Sequence, residues 1–246
     1  MGESKFFSVR NMTDTKAEIY IYGDIVSSDW EKWSETDVCP ADIKEAVNNI
    51  GGRDVEIHIY SAGGSVFAGE AIRSILVKLT GYKTVYIDGL AASIASAIAM
   101  CYDELHISEG SYMVIHNPST YAWGTANDLR KTAETLDLIK ETIMSVYNGK
   151  LSEDFDNSRL SGMLDDETWL TANDVKLMFK SVVIDEGAVP ISAKLDNNML
   201  QYFNKLPDDI MLPEKPKDFI NTSALRDALE CERMANNLKL LRSDAS

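Results

Sequence analysis

Two short blocks hold the residues best suited to chemistry, Ser61-Ala62-Gly63-Gly64-Ser65 and Asp88-Gly89-Leu90-Ala91-Ala92-Ser93. Each follows a β-branched or aromatic run that reads as a strand, and α/β folds place their sites at strand C-termini. The glycine pair allows backbone conformations closed to other residues and leaves amide N–H groups uncovered, as an oxyanion site requires. Such a pair is also ordinary strand-to-helix punctuation. Ser93 has two alanines directly before it, so little bulk shields its hydroxyl. That exposure suits a nucleophile, and the same position suits a helix N-cap. The next residue, Ile94, offers its N–H near a helix N-terminus and with Gly64 makes a two-donor oxyanion hole. Ser96, one turn on within an apolar helix, reads as packing.

A serine hydroxyl is a poor nucleophile near neutral pH until a base takes its proton. The chain has 3 histidines. His58 alternates with Ile57 and Ile59, the period of a sheet-face residue, and His106 is similar. His116 instead ends the run 112–115 and is followed by Asn117-Pro118, so the chain turns at once. Its imidazole is therefore expected at the same sheet edge as Ser93.

The elements that must position these residues follow from periodicity. Strands are expected at 18–22, 55–60, 84–87, 104–107, 112–115 and 181–184, with helices at 40–50, 65–79, 92–100, 153–163 and 171–179. Strands alternating with helices imply an α/β domain around a largely parallel sheet. The stretch 89–102 is too short to span roughly 30 Å of hydrocarbon and reads as a buried helix. A longer amphipathic helix over 127–147 carries Leu129, Leu136, Ile139, Ile143 and Val146 at helical spacing, and is expected to project from the core or pack on a neighbour. The domain is read as 17–189, after an N-terminal segment 1–16. From Pro190 onward the chain holds four of its six prolines and then recovers a helical pattern over 223–241. Residues 190–246 are thus read as a partly flexible tail with one amphipathic helix.

Composition narrows the classes. A chain of 246 residues with 45% hydrophobic content supports a sizeable core. A net charge of −15, from 24 basic and 39 acidic side chains, argues against a nucleic-acid partner. The 3 cysteines are far apart and form no CxxC pair, so neither a disulfide framework nor a metal site is expected. Residues 1–10 show no hydrophobic signal region, and the myristoylation pattern fails at Phe6. The expected location is cytoplasmic, with no membrane partner. The phosphate-binding pattern GxxxxGK[ST] is absent, so no nucleotide or other cofactor is expected, and any ATP dependence would reside in another chain.

Three blocks, Tyr60-Ser61-Ala62-Gly63-Gly64-Ser65-Val66, Gly89-Leu90-Ala91-Ala92-Ser93 and Met113-Val114-Ile115-His116-Asn117-Pro118, resemble the proteolytic subunit of Clp protease in order and spacing. Weaker similarity covers 17–187. The resemblance implies the spiral of ββα units shared with the crotonase superfamily, with a long projecting helix that joins rings. It implies a serine endopeptidase in which Ser93 attacks the scissile carbonyl, His116 shuttles the proton and the glycine block forms part of the oxyanion hole. It further implies protein substrates, a ring-forming homo-oligomer and the question of an ATPase unfoldase partner.

Matching Trp169-Leu170-Thr171-Ala172 to the family pattern puts Glu167 where the family has Asp, with Asp166 and Asp165 as alternatives if the loop is shifted. Ala62 replaces the usual Pro, and Ile94-Ala95 replaces Met-Gly. With the tail, these departures resemble Clp-like phage head-maturation proteases, whose substrates are scaffold and capsid precursors inside the immature shell. Rival readings are a Clp-type degradative subunit, an enoyl-CoA hydratase or isomerase of the related fold, an idle scaffold or assembly subunit, and a membrane-linked Ser/Lys peptidase. The Ser93 and His116 pair argues against the hydratase and the idle scaffold. No segment suited to a membrane-linked enzyme is visible.

Overall fold

The computed structural model describes residues 13–48, 50–186 and 203. The chain divides into two units, Met1–Ala193 and Lys194–Ser246, and the first holds every element below. Apart from Phe203, the tail expected over 190–246 and its helix lie outside the described residues, as do residues 1–12.

Five strands, β1 (Lys16–Tyr22), β2 (Asp54–Ser61), β3 (Lys83–Ala92), β4 (Glu104–Ser108) and β7 (Val182–Asp185), lie parallel in the order β1-β2-β3-β4-β7. Their alternation decides which face is buried. Ala17, Ile19 and Ile21 of β1, Val55, Ile57 and Ile59 of β2, Val85 and Ile87 of β3, and Leu105 and Ile107 of β4 point into the core. The opposite face carries a row of rings, Tyr20 stacked on His58 (4.7 Å between centroids), His58 stacked on Tyr86 (4.8 Å) and His106 tilted by 39° against Tyr86 (4.8 Å). His58 and His106 are thus sheet-face residues, as their period-2 placement implied; His58 Nδ1 lies 2.7 Å from Asp88 and His106 Nδ1 2.8 Å from Asp185.

Strand β3 runs past the expected 84–87. Its first part pairs with β4, and at Asp88-Gly89 the register slips so that Leu90, Ala91 and Ala92 pair instead with Tyr112, Met113 and Val114 of β5 (Tyr112–Ile115). Gly89 takes φ 116, a conformation that L side chains rarely adopt, and so lets β3, paired with β2 on one edge, serve β4 and then β5 along the other. The apolar stretch 89–102 is accordingly not one buried helix. It is a strand end, then Ser93, then helix α3 (Ile94–Ala99), all six residues of which are buried.

The other helices are α1 (Pro40–Val47), α2 (Val66–Val77), α4 (Ala126–Asn148), α5 (Arg159–Asp165) and α6 (Ala172–Met178). Two expectations need correction. The helix read over 153–163 begins only at Arg159, because Asp156 Oδ1 accepts from the Ser158 N–H and hydroxyl at 3.0 and 2.7 Å and closes a turn first. The segment 164–172 also contains a strand missed in the sequence, β6 (Thr168–Thr171), antiparallel to β5. α4 starts with a capping box, Thr125 with Asp128, and only Ile143 and Tyr147 near its C-terminal end are buried. No helix of the described residues is long and apolar enough to cross a membrane.

Candidate active site

Ser93 stands at the junction of β3 and α3 with φ 54 and ψ −130. A non-glycine residue with positive φ is sterically costly, and such strain concentrates where a side chain must be presented at a sharp strand-to-helix turn. It occupies the N-cap position, yet its side chain makes no capping hydrogen bond. The capping alternative raised by its position therefore does not describe how the hydroxyl is used. The turn is held through the backbone, with the Ser93 N–H donating to Val114 O at 2.9 Å.

The glycine turn is packed against this elbow. A Cβ on Gly63 would fall 2.7 Å from Ser93 Cβ and 3.2 Å from Ser93 Oγ, so only glycine permits the approach. Ser61 fixes the turn: its hydroxyl donates to Gly23 O at 2.6 Å and accepts from the Gly63 N–H at 3.1 Å. Ile25 clamps the next peptide, its N–H donating to Gly63 O at 2.7 Å and its carbonyl accepting from Ser65 N–H at 2.8 Å. In a trans peptide, C=O and N–H point in opposite directions. Anchoring Gly63 O on Ile25 thus aims the Gly64 N–H away from Ile25, and that N–H meets no acceptor among the described residues. Ile94, the first residue of α3, likewise has no carbonyl four residues back in its helix to receive its N–H.

His116 follows the last residue of β5. With Ala92 level with Val114 in the parallel β3–β5 pair, Ser93 comes level with Ile115, one residue short of His116. Across the antiparallel pair, Ile115 is level with Thr168, so the next step sets His116 opposite Glu167. The Leu164 carbonyl ties the two ends together, accepting from Asn117 N–H at 3.1 Å and Glu167 N–H at 3.3 Å. Glu167 is 9% exposed and, like the half-buried Ser93, takes a positive φ, here 51. Burial pushes the His116 pKa below the ordinary histidine value, and the Glu167 carboxylate acts in the opposite direction.

The two alternative acids are placed differently. Asp165 is exposed and engaged with Lys140 Nζ at 2.6 Å and Asn117 Nδ2 at 2.7 Å, and these hold its carboxyl below the usual range. Asp166, also exposed, closes the end of α5. Gly63, Gly64, Ser93, Ile94, His116 and Glu167 are thus gathered at one end of β2, β3, β5 and β6. Elsewhere, the acidic side chains of Asp29 and Asp42 near Cys39 face a cation already present: Lys32 Nζ sits 2.7 Å from each.

Sequence reasoning assigned Ser96 to packing. It is buried, but its hydroxyl donates to Ser93 O at 2.5 Å and lies 2.8 Å from the Tyr147 hydroxyl. Tyr147 is 51 residues from Ser96 in sequence, and a single tyrosine in an amphipathic helix carries no signal of a polar contact.

Comparison with known proteins gives the same frame. The Clp protease family profile matches residues 7–178. Similar curated proteins are ATP-dependent Clp protease proteolytic subunits: that of Bacteroides thetaiotaomicron is 30% identical over 127 residues, covering 51% of this chain and 57% of the relative. Proteolytic subunit 1 of Chlamydia pneumoniae is 32% identical over 129 residues, covering 51% of this chain and 66% of the relative. The aligned region thus spans less than two thirds of these relatives. With the family profile covering most of its length, and with its parallel-dominated α/β fold, the chain belongs to the Clp protease family.

Proposed function

We propose that this chain is a Clp-type serine endopeptidase. Ser93 is the nucleophile, His116 the general base and acid, Glu167 the carboxylate that orients the imidazole, and the N–H groups of Gly64 and Ile94 the oxyanion hole. The observation that carries this reading is the Ser93 backbone: a strained serine whose hydroxyl caps nothing, pressed against a glycine turn at the strand end next to His116. In the reaction, Ser93 Oγ attacks the peptide carbonyl carbon while its proton passes to His116. The C=O electron pair moves onto oxygen and is met by the two N–H groups. His116 then protonates the leaving amine as the C–N bond breaks, and water repeats the sequence on the acyl-enzyme.

The proposed assembly is a ring-forming homo-oligomer joined through α4, which supplies Leu129 at 44% and Leu138 at 64% exposure. Trp30, Trp33 and Phe67, on segments flanking the glycine turn, and Tyr121 and Trp123, soon after His116, are also exposed and suit contact with protein chains. The proposed substrates are scaffold and capsid precursors of a phage head, a reading supported by Ala62, Ile94-Ala95 and the long C-terminal extension.

The test is intact-mass analysis of the full chain and Ser93→Ala after a fluorophosphonate probe, followed by digestion of a phage scaffold precursor and of casein. Probe addition lost in Ser93→Ala supports the peptidase. Discrete cleavage of the precursor with casein spared supports head maturation, and degradation of both to small peptides contradicts it.

A further inference from the structure

The second oxyanion donor needs aiming as much as the first, and the hydrogen bonds around Ser96 show how it is done. The Ile94 N–H and the Ser93 carbonyl belong to one planar trans peptide and point in opposite directions. Whatever holds Ser93 O therefore holds the direction of the Ile94 N–H. Ser93 O accepts twice, from Ser96 N–H at 3.0 Å and from Ser96 Oγ at 2.5 Å. A serine hydroxyl has one hydrogen. Since Ser93 O is a pure acceptor and takes it, the 2.8 Å contact between Ser96 and Tyr147 must have the Tyr147 O–H donating to Ser96 Oγ. The result is a directed relay, Tyr147 to Ser96 to the Ser93 carbonyl, with no proton left to choose.

Both relay side chains are buried, Ser96 at 0% and Tyr147 at 1% exposure. Burial pushes the Tyr147 phenol well above its ordinary pKa, which keeps it a donor across the working pH range. Hydrogen bonds in series polarise one another, so the relay also draws electron density toward Ser93 O and makes the Ile94 N–H a better donor. Tyr147 lies in the last turn of α4.

We infer that Ser96 and Tyr147 are positioning residues that aim and polarise the Ile94 N–H, tying the oxyanion hole to the C-terminal end of α4. The inference rests on Ser93 being the nucleophile. An oxyanion donor acts on charge that develops in the transition state, so losing its aim lowers the rate of reaction and leaves ground-state binding nearly unchanged.

The test measures kinact and KI for a fluorophosphonate probe on the full chain, with Ser96→Ala, Tyr147→Phe and the double variant. Tyr147→Phe keeps the buried ring, so it carries the test should Ser96→Ala fail to fold. The expected result is a fall in kinact of about 10-fold for Ser96→Ala and about 3-fold for Tyr147→Phe, below the full loss of an oxyanion donor, with KI unchanged. The double variant should match Ser96→Ala alone, because the relay acts as one unit. Parent labelling at Ser93 with every variant within about twofold in kinact would overturn the relay while leaving the peptidase reading intact, as would a change confined to KI. A parent chain that never labels at Ser93 would overturn both.

Discussion

His116 and Glu167 face each other one step beyond the last paired residues of β5 and β6, Ile115 and Thr168. That relationship supports the proposed role of Glu167 among three consecutive acids, because Asp165 is committed to Lys140 and Asn117 and Asp166 is exposed at the end of α5. Glu167→Gln should therefore lower the Ser93 labelling rate by about 10²–10⁴-fold, since a carboxylate stabilises the imidazolium and an amide does not. Asp165→Asn and Asp166→Asn should stay within about threefold of the parent. Rates measured side by side on the three variants check the assignment, and the largest loss falling on Asp165 or Asp166 would reassign the acid.

The pH dependence follows from burial. His116 is held below the ordinary histidine pKa, so its imidazole is neutral and able to accept a proton at pH 7. Activity should fall on acidification with a midpoint below about 6.5. Glu167→Gln removes the influence that raises the His116 pKa, and the acid limb of its residual activity should move further down. The same depression makes His116 a source of stability present above its unfolded pKa and lost as pH falls through the folded value. A plot of kinact against pH for parent and variant decides the point.

His106 has the opposite sign. Burial works against its charge, but hydrogen bonds to Glu104 and Asp185 outweigh burial and hold its pKa above the ordinary value. Its stabilising contribution is fully present below the unfolded pKa and is lost as pH rises through the raised folded value. His106→Asn should therefore lower the melting temperature more at pH 5.5 than at pH 8.5. Equal losses at both pH values would count against a charged pair.

Gly63 cannot carry a side chain. A methyl group would meet Ser93 Cβ at 2.7 Å and Ala92 O at 2.9 Å, on a backbone with φ 102. Gly63→Ala should lose at least about 1–3 kcal/mol of stability through strain and labelling by more than about 10² through displacement of Ser93. Denaturant melts and probe labelling of the same preparation separate the two effects.

Much of this was legible in the sequence because it depends on local pattern. The β2 alternation of Val55, Ile57 and Ile59 against Glu56, His58 and Tyr60 marks a strand with one buried face. The Gly63-Gly64 pair, the strand-to-helix position of Ser93 and the abrupt turn after His116 point to one sheet edge. The features that escaped are made by distant pairing. The slip of β3 at Asp88-Gly89 depends on β5 being there to receive Leu90–Ala92. β6 is four residues long and gains its identity only from β5. Ser96 looked apolar by context, and its bond to Tyr147 exists only because α4 returns over α3.

The central claim is that Ser93 is an activated nucleophile, and the most direct measurement is mass-resolved fluorophosphonate labelling of the full chain at several protein concentrations. One probe adduct on the Ser93 peptide, absent in Ser93→Ala and increasing as the chain oligomerises, is the expected result. An oligomeric, folded chain that remains unmodified, or an adduct that persists in Ser93→Ala, would contradict it.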